Sequence, residues 1–166
     1  AFRIAWFKVH RPLEFYSAYF YRRSQKDAFD AGMMLKGRDF VRRKINEIHA
    51  KSDATAKEED LVTTLEAVYE FYMRGFEFAP MDLYECDATR FLVVDDKRLR
   101  PPFVAISGLG AAAANDLMSC REGGRRFISV EELSLACPKV SQAHIEQLRA
   151  TGALGDMPEE SQMTLF

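Results

Sequence analysis

The chain has 166 residues, a formal net charge of −2 and a charged fraction of 29%. A chain of this length buries one proper core or two small ones. The near-neutral balance excludes a global basic field, so any contact with nucleic acid must be local. No apolar run approaches the roughly 20 residues that span a bilayer. We therefore expect no membrane association and a cytoplasmic location.

The cysteines and histidines are scattered along the chain. Cys86, Cys120 and Cys137 are odd in number and lack CxxC spacing, which indicates reduced thiols and neither a disulfide framework nor a zinc site. We therefore predict that this chain holds no metal and no cofactor. It begins Ala-Phe-Arg-Ile, without Met and without a signal-peptide pattern, which indicates a start inside a longer protein.

The first hundred residues predict a helical block. Residues 2–9 are almost wholly apolar, a pattern typical of a helix buried on most sides. Pro12 suits the first turn of a second helix. That helix carries an aromatic stripe at the spacing of a core face, which we favour over a base-stacking surface. The stripe consists of Phe15, Tyr16, Tyr19 and Phe20.

Two further helices and a hairpin follow. A helix from about Arg38 to Ala50 has a basic side, which either contacts phosphates or, as we favour, faces solvent. Thr55 and Glu58 form a capping box that opens the next helix, and Gly75 ends it. An extended segment is predicted at 81–84, and a hairpin at 91–99 turns at Asp95-Asp96. Adjacent aspartates suit a magnesium site, but between two extended runs they are ordinary turn residues.

Residues 101–110 carry the strongest internal motif. Pro101-Pro102-Phe103 opens a short helix, Ile106-Ser107-Gly108-Leu109-Gly110 forms a turn, and four alanines begin another helix. This is the helix-hairpin-helix pattern. Its glycines reach backbone angles closed to other residues, and the amides at the next helix start point outward at a phosphate. A capping turn without any ligand is the alternative.

A second helix pair lies between 129 and 152. Ser129 and Glu132 predict a capping box with an Ile128–Leu133 staple, and Ser141 caps the following helix. Its turn at 138–140 lacks glycine, so we expect a structural role. The predicted DNA contacts of both pairs are Ser107, Gly108, Leu109, Gly110, Ala111, Arg121, Arg125, Arg126 and Lys139.

The chain ends in a glutamine, two spacers and a Leu-Phe pair, after an acidic stretch that we predict not to pack. A folded domain seldom leaves Leu and Phe on such a tail unless another surface receives them. The pentapeptide resembles the peptide by which bacterial polymerases and repair proteins dock onto the sliding clamp. We therefore predict a flexible tail at 158–166, with clamp contacts from Gln162, Met163, Leu165 and Phe166. Met163 replaces the leucine usual in that peptide.

From end to end, the chain resembles the C-terminal part of the PolC-type bacterial DNA polymerase III alpha subunit. Residues 2–10 with Pro12 resemble the end of the fingers domain, 101–110 the start of the duplex-binding domain, and 162–166 the clamp peptide. Ser107 departs from the family, which commonly has Pro before the Gly-Leu-Gly turn. The resemblance implies a fragment of a DNA-directed DNA polymerase that also has 3′–5′ exonuclease activity and uses Mg²⁺. It further implies that the catalytic carboxylates precede residue 1, so this fragment alone is inactive.

The predicted fold is mainly α, in three parts. Residues 1–100 are a helical fingers subdomain with a short β-hairpin, 101–157 a helix-hairpin-helix domain for duplex DNA of any sequence, and 158–166 the clamp-binding tail. The expected partners are duplex DNA, the sliding clamp and the remainder of the polymerase. Two rival interpretations remain, a non-catalytic clamp-recruited DNA-binding or repair protein and a helical module without a DNA role.

Overall fold

The computed structural model describes residues 1–161, and the five residues at 162–166 lie outside that description. Within the described part the fold is mainly α, as predicted, with a small sheet. The helices are α1 (Phe2–His10), α2 (Pro12–Ser24), α3 (Ala31–Met34), α4 (Arg38–His49), α5 (Ala56–Met73), α6 (Ala111–Cys120), α7 (Val130–Ala136) and α8 (Gln142–Ala150). The strands are β1 (Glu77–Phe78), β2 (Leu92–Val93) and β3 (Arg98–Arg100). None of the described helices is both long and apolar enough to cross a bilayer.

The predicted burial of the first helix is wrong. α1 forms as expected, but none of its residues is buried, and Phe2 and Val9 are 84% and 65% exposed. It rests on α2 and is tied to α5 by an ion pair, in which Lys8 Nζ lies 2.7 Å from Glu70 Oε1. An apolar helix is buried only where a second surface meets its other sides, and the described residues supply no such surface.

The aromatic stripe of α2 belongs to the core, as predicted. Tyr16 and Phe20 are fully buried, and Phe15 and Tyr19 pack against them with part of their surface exposed. The phenol of Tyr16 donates a hydrogen bond to the Glu70 carboxylate. Burial first, and this bond second, raise the pKa of Tyr16 to about 12. The buried rings of Tyr16 and Phe20 are therefore not available for stacking on a base.

Helices α4 and α5 pack together and confirm the capping prediction. The Thr55 hydroxyl accepts a hydrogen bond from the Glu58 N–H at 3.2 Å, and the Glu58 carboxylate accepts one from the Thr55 N–H at 2.9 Å. Gly75, with φ of +84°, follows the end of α5. The basic side of α4 is exposed, and Arg42 and Lys44 pair with acidic residues of the same helix.

The sheet contains the predicted hairpin and one unpredicted strand. β2 and β3 are antiparallel, and the Asp95 carboxylate accepts hydrogen bonds from the N–H groups of Lys97 and Arg98. β1 pairs in parallel with β3, a long-range contact that no local pattern indicates. The extended segment predicted at 81–84 is wrong, because the Asp82 carboxylate accepts from the N–H of Tyr84 and closes a turn there.

One contiguous cluster of buried apolar residues runs from Leu13 to Leu154. Backbone hydrogen bonds cross between the two predicted parts, from Phe103 N to Asp87 O at 3.0 Å and from Leu83 N to Ala153 O at 2.9 Å. These bonds hold the start of the glycine-rich segment against the rest of the core. The boundaries at 100 and 157 stay predictions.

The acidic stretch before the terminal pentapeptide does contact the fold, contrary to expectation. The carbonyls of Pro158 and Glu159 accept hydrogen bonds from the N–H groups of Val130 and Glu131 at 2.9 and 3.0 Å. The Glu159 carboxylate also pairs with Arg149. Two amides of the first turn of α7 are satisfied by this stretch rather than by water.

Candidate nucleic-acid interface

The glycine-rich segment forms a tight turn between two helices of unequal length. The helix before it is a single 3-10 turn, Phe103–Ala105, and the helix after it is α6. Gly108 has φ of +79°, a backbone angle that residues with a side chain rarely adopt. Leu109 is 3% exposed and fills the core beneath the turn, whereas Ser107 and Gly108 are exposed. The turn therefore has the predicted form, with an apolar anchor inside and main chain outside.

The start of α6 has no side-chain cap among the described residues. Gly110 is the N-cap residue, and no side chain of residues 1–161 accepts from the first amides of the helix. Amides in the first turn of a helix lack a main-chain acceptor, so those of the exposed Ala111 and Ala112 are offered to solvent or to an anion. The helix dipole adds a partial positive charge at the same end.

The space around the turn is open. A Cβ atom built on Gly108 or on Gly110 would meet no atom of the described chain within 4 Å. The two glycines nevertheless differ, because Gly108 needs its left-handed angle whereas Gly110, with φ of −76°, lies in the extended region that any residue adopts. The left-handed backbone conformation therefore requires glycine at position 108. At position 110 the absence of a side chain leaves open space in which a ligand can approach the main chain.

His144 supports the turn, a role that sequence reasoning missed. Its Nδ1 accepts a hydrogen bond from the Ser141 N–H at 3.1 Å, so the ring proton of the neutral form lies on Nε2. Nε2 lies 3.0 Å from the carbonyl oxygen of Gly108 and donates to it. The ring therefore joins the start of α8 to the turn before α6. Only the position of His144 three residues after Ser141 hinted at this, since that is the capping-box position.

The end of α2 lies beside the glycine turn. A groove of about 390 Å³ separates Ser24 and Gln25 from the segment Gly108–Ala111. Asp27 also lines it, and its carboxylate pairs with Lys57 Nζ at 2.9 Å. The one acidic group in this groove is therefore partly neutralised, although an exposed pair of this kind is weak.

The predicted basic contacts have different environments. Arg121 is a structural residue, because its guanidinium donates to the carbonyls of Leu83 and Cys86. Arg125 pairs with Glu132 at 3.3 Å. The guanidinium of Arg126 lies 4.4 Å from the Tyr84 ring centroid and has no acidic partner in the described residues. Lys139 is exposed and also has none there. Arg126 and Lys139 are thus the two of these side chains available to a phosphate.

The second turn is closed by side chains. The Ser141 hydroxyl accepts from the His144 N–H at 3.3 Å, and the Asp116 carboxylate accepts from the Lys139 N–H at 2.9 Å. Val140 and Ile145 are both buried, whereas Ile128 is 68% exposed and does not form the predicted staple with Leu133. The Glu132 carboxylate bonds the N–H of Ile128 rather than that of Ser129, so the capping box predicted there is not reciprocal. The chain leaves Ile128 outside because Phe127, buried beside it, fills the core.

The clamp-binding residues predicted at the terminus, Gln162, Met163, Leu165 and Phe166, lie outside the described residues. The chain before them is held at the start of α7, where Ser129 Oγ and Ser161 Oγ are 3.0 Å apart. Ser161, the last described residue, therefore lies next to the second helix pair.

Comparison with known proteins gives a family and a set of relatives. The model of the family described as the helix-hairpin-helix motif matches residues 75–163. The chain is 42% identical over 166 residues to the DNA polymerase III PolC-type of Thermotoga maritima. It is 44% and 45% identical over 167 residues to those of Oceanobacillus iheyensis and Bacillus cereus. Each match covers all of this chain, which spans only 11–12% of the length of these relatives.

Proposed function

Because the chain belongs to the helix-hairpin-helix motif family, we propose that it holds duplex DNA by its phosphates as part of a PolC-type replicative DNA polymerase. The observation that supports this most is the uncapped start of α6 beside the left-handed Gly108, in open space. Such a turn contacts the DNA backbone and no base edge, so binding is independent of sequence.

Each proposed contact is weak by itself, and the contacts act together because the fold places them to bind phosphates of the same duplex. Main-chain amides at the turn bind one phosphate, and Arg126 and Lys139 contribute further phosphate contacts from the loop before α7 and the second turn. Each neutralised phosphate makes binding more sensitive to salt. Arg121 is omitted from the proposed interface because the carbonyls of Leu83 and Cys86 occupy its guanidinium.

The terminal pentapeptide is proposed to dock onto the sliding clamp. Gln162 would bond at the rim of the clamp pocket, and Met163, Leu165 and Phe166 would fill its apolar cleft. A short peptide typically binds with a Kd of micromolar order, about −8 kcal/mol. Linking it to a DNA-binding turn raises the effective concentration of each contact, which keeps the polymerase on its template.

The remainder of the polymerase is proposed to cover α1 and to perform the chemistry. The exposed apolar sides of α1 support this, because contiguous apolar surface normally marks an interface. The parent reaction is Mg²⁺-dependent transfer of a nucleotide to a primer end, and no residue of this chain is assigned to catalysis. The isolated fragment is therefore expected to incorporate no nucleotide.

Duplex binding is tested by replacing both turn glycines. Fluorescence anisotropy would measure the Kd of the chain for three unrelated duplexes at low salt, and again for Gly108→Val with Gly110→Val. We expect at least a 10-fold loss, equal for all three sequences, because β-branched side chains strain one position and fill the other. Circular dichroism checks that the variant is folded. Equal dissociation constants for the two proteins would refute the hairpin assignment.

Clamp binding is tested by removing residues 162–166. Calorimetry with the sliding clamp should detect binding by the full chain and none by the truncated chain. The duplex Kd should stay unchanged, because the deletion leaves the contacts of Pro158 and Glu159 with α7 in place. Clamp binding that survives truncation would show that another surface carries it.

A further inference from the structure

Three groups with metal-ligand chemistry meet between α6 and the turn before α8. They are the carboxylate of Asp116 and the thiols of Cys120 and Cys137, whose ligand atoms all lie within 4.8 Å of one another. Asp116 and Cys120 are four residues apart on α6 and so share one face of the helix. Cys137 follows the last residue of α7. The 16 intervening residues hid this cluster from sequence reasoning, which looks for closely spaced cysteines.

The surroundings of these groups suit metal ligands. Cys137 is fully buried, while Cys120 and Asp116 keep partial access to solvent. One oxygen of Asp116, Oδ2, accepts from the Lys139 N–H at 2.9 Å, which orients the carboxylate as the outer contacts of metal ligands do. The Cys120 thiol donates to the Ala136 carbonyl at 2.9 Å. The cluster is thus fixed on both sides by main chain.

We propose that Asp116, Cys120 and Cys137 bind one thiophilic divalent cation of the zinc class, with water as the fourth ligand. Two sulfur donors and one carboxylate match the borderline-soft preference of Zn²⁺ and disfavour Mg²⁺ or Ca²⁺. Ligand atoms in a tetrahedral zinc site lie roughly 3.5 Å apart, so modest side-chain rotations close this site. The partly exposed side of the cluster admits the water.

The bound cation would link the last turn of α6, through Asp116 and Cys120, to the segment after α7, through Cys137. Binding displaces the two thiol protons to solvent, because thiolates and not thiols are the ligands. The Cys120 hydrogen bond to Ala136 is lost in exchange for a metal–sulfur bond. The bond from Lys139 N–H to Asp116 remains, since it uses the other carboxylate oxygen.

The first experiment titrates Zn²⁺ into metal-free chain kept reduced with a phosphine, followed by calorimetry in buffers of different ionisation enthalpy. We expect one equivalent bound with a Kd of about 1 μM or tighter and a release of about two protons. Cys120→Ala, Cys137→Ala and Asp116→Asn should each weaken binding at least 10-fold. Cys86→Ala is the matched control, since Cys86 is a buried cysteine outside the cluster, and its Kd should stay within twofold.

A second measurement needs no variant. Zn²⁺ should protect Cys120, the half-buried thiol, from alkylation by iodoacetamide, as read by peptide mass spectrometry. The proposal is overturned if Zn²⁺ binds no more tightly than about 100 μM, if binding survives loss of either thiol, or if Cys120 alkylates equally with and without the metal.

Discussion

Helices α6 and α8 are each the second helix of a pair in the C-terminal half, but they differ in how their first amides are hydrogen-bonded. α6 begins at Gly110, and no side chain in the described part of the chain accepts from its first amides. α8 begins at Ser141, and hydrogen bonds between Ser141 and His144 satisfy both ends of the cap. The N-cap residue, Gly110 in α6 and Ser141 in α8, therefore decides whether the first amides of the helix are available to a ligand or are hydrogen-bonded within the protein.

The closed turn also supports the open one. His144 belongs to the cap of α8, yet its Nε2 donates to the Gly108 carbonyl beside α6. This contact fixes the carbonyl of Gly108 toward the protein. The two pairs thus act as one unit, in which the side-chain chemistry of the second orients the main chain of the first.

Gly110→Ser gives the sharpest test of this contrast, because it adds to α6 the cap that α8 already has. Gly110 has an extended ψ of +168°, and a Cβ there meets nothing, so serine fits without strain. We expect the duplex Kd to rise about 10-fold, since the hydroxyl occupies an amide otherwise bound to phosphate. The free energy of unfolding should rise by a few tenths of a kcal/mol at the same time.

The control for that variant is a second substitution of Gly110 that cannot hydrogen-bond the amides of α6. Gly110→Ala has the Cβ without the hydroxyl, so it separates crowding of the phosphate from competition for the amide. Tighter duplex binding by the serine variant, measured by anisotropy, would contradict the assignment of these amides to phosphate.

His144→Ala tests the support between the two turns and has a smaller expected effect. Loss of the donor to Gly108 and of the acceptor for Ser141 N–H should weaken duplex binding about threefold and lower the free energy of unfolding by about 1 kcal/mol. Ser141→Ala is the matched variant, because it uncaps the same helix but keeps the His144 ring. Denaturation should show similar losses for both, whereas the duplex Kd should change only for His144→Ala.

Local patterns predicted the elements that depend on few residues. The Thr55 capping box, the Asp95 turn and the Gly108 turn are each specified by the conformational chemistry of a short segment, and all three form. The residues of β1 carry no such signal, because a two-residue strand is defined by its parallel partner 21 positions away. Sequence alone shows neither which strand lies beside it nor at what register.

The site was harder to predict than the fold. The glycines predicted the turn. The structural role of Arg121 could not be predicted, because the carbonyls that accept from its guanidinium belong to residues 83 and 86, which are distant in sequence. A similar limit applies to α1, whose composition indicates burial but not the surface that covers it. Long-range partners decide whether an arginine or an apolar face is free, and composition does not reveal them.

The last prediction concerns the pH dependence of stability that Glu132 gives to the second helix pair. The N–H of Ile128, above all, and Arg125 hold the pKa of the Glu132 carboxyl below its ordinary value of 4.5. A carboxyl with a lowered pKa in the folded state stabilises the fold above that value, and the contribution is lost as the pH falls through the folded pKa. Glu132→Gln should therefore lower the Tm at about pH 7 by a small amount that shrinks below about pH 4. The start of α6 has no carboxylate cap within residues 1–161, so it should add no such dependence.

Glu131→Gln is the matched control for this acid dependence. It removes a carboxylate from the same first turn of α7, and that carboxylate makes no side-chain hydrogen bond to any described residue. Both variants lose the interaction of a carboxylate with the helix dipole, so a larger acid-sensitive Tm difference for Glu132→Gln measures what the charge on Glu132 adds through Ile128 N–H and Arg125. Identical Tm profiles for the two variants would mean that the charge on Glu132 adds no acid-sensitive stability through these contacts.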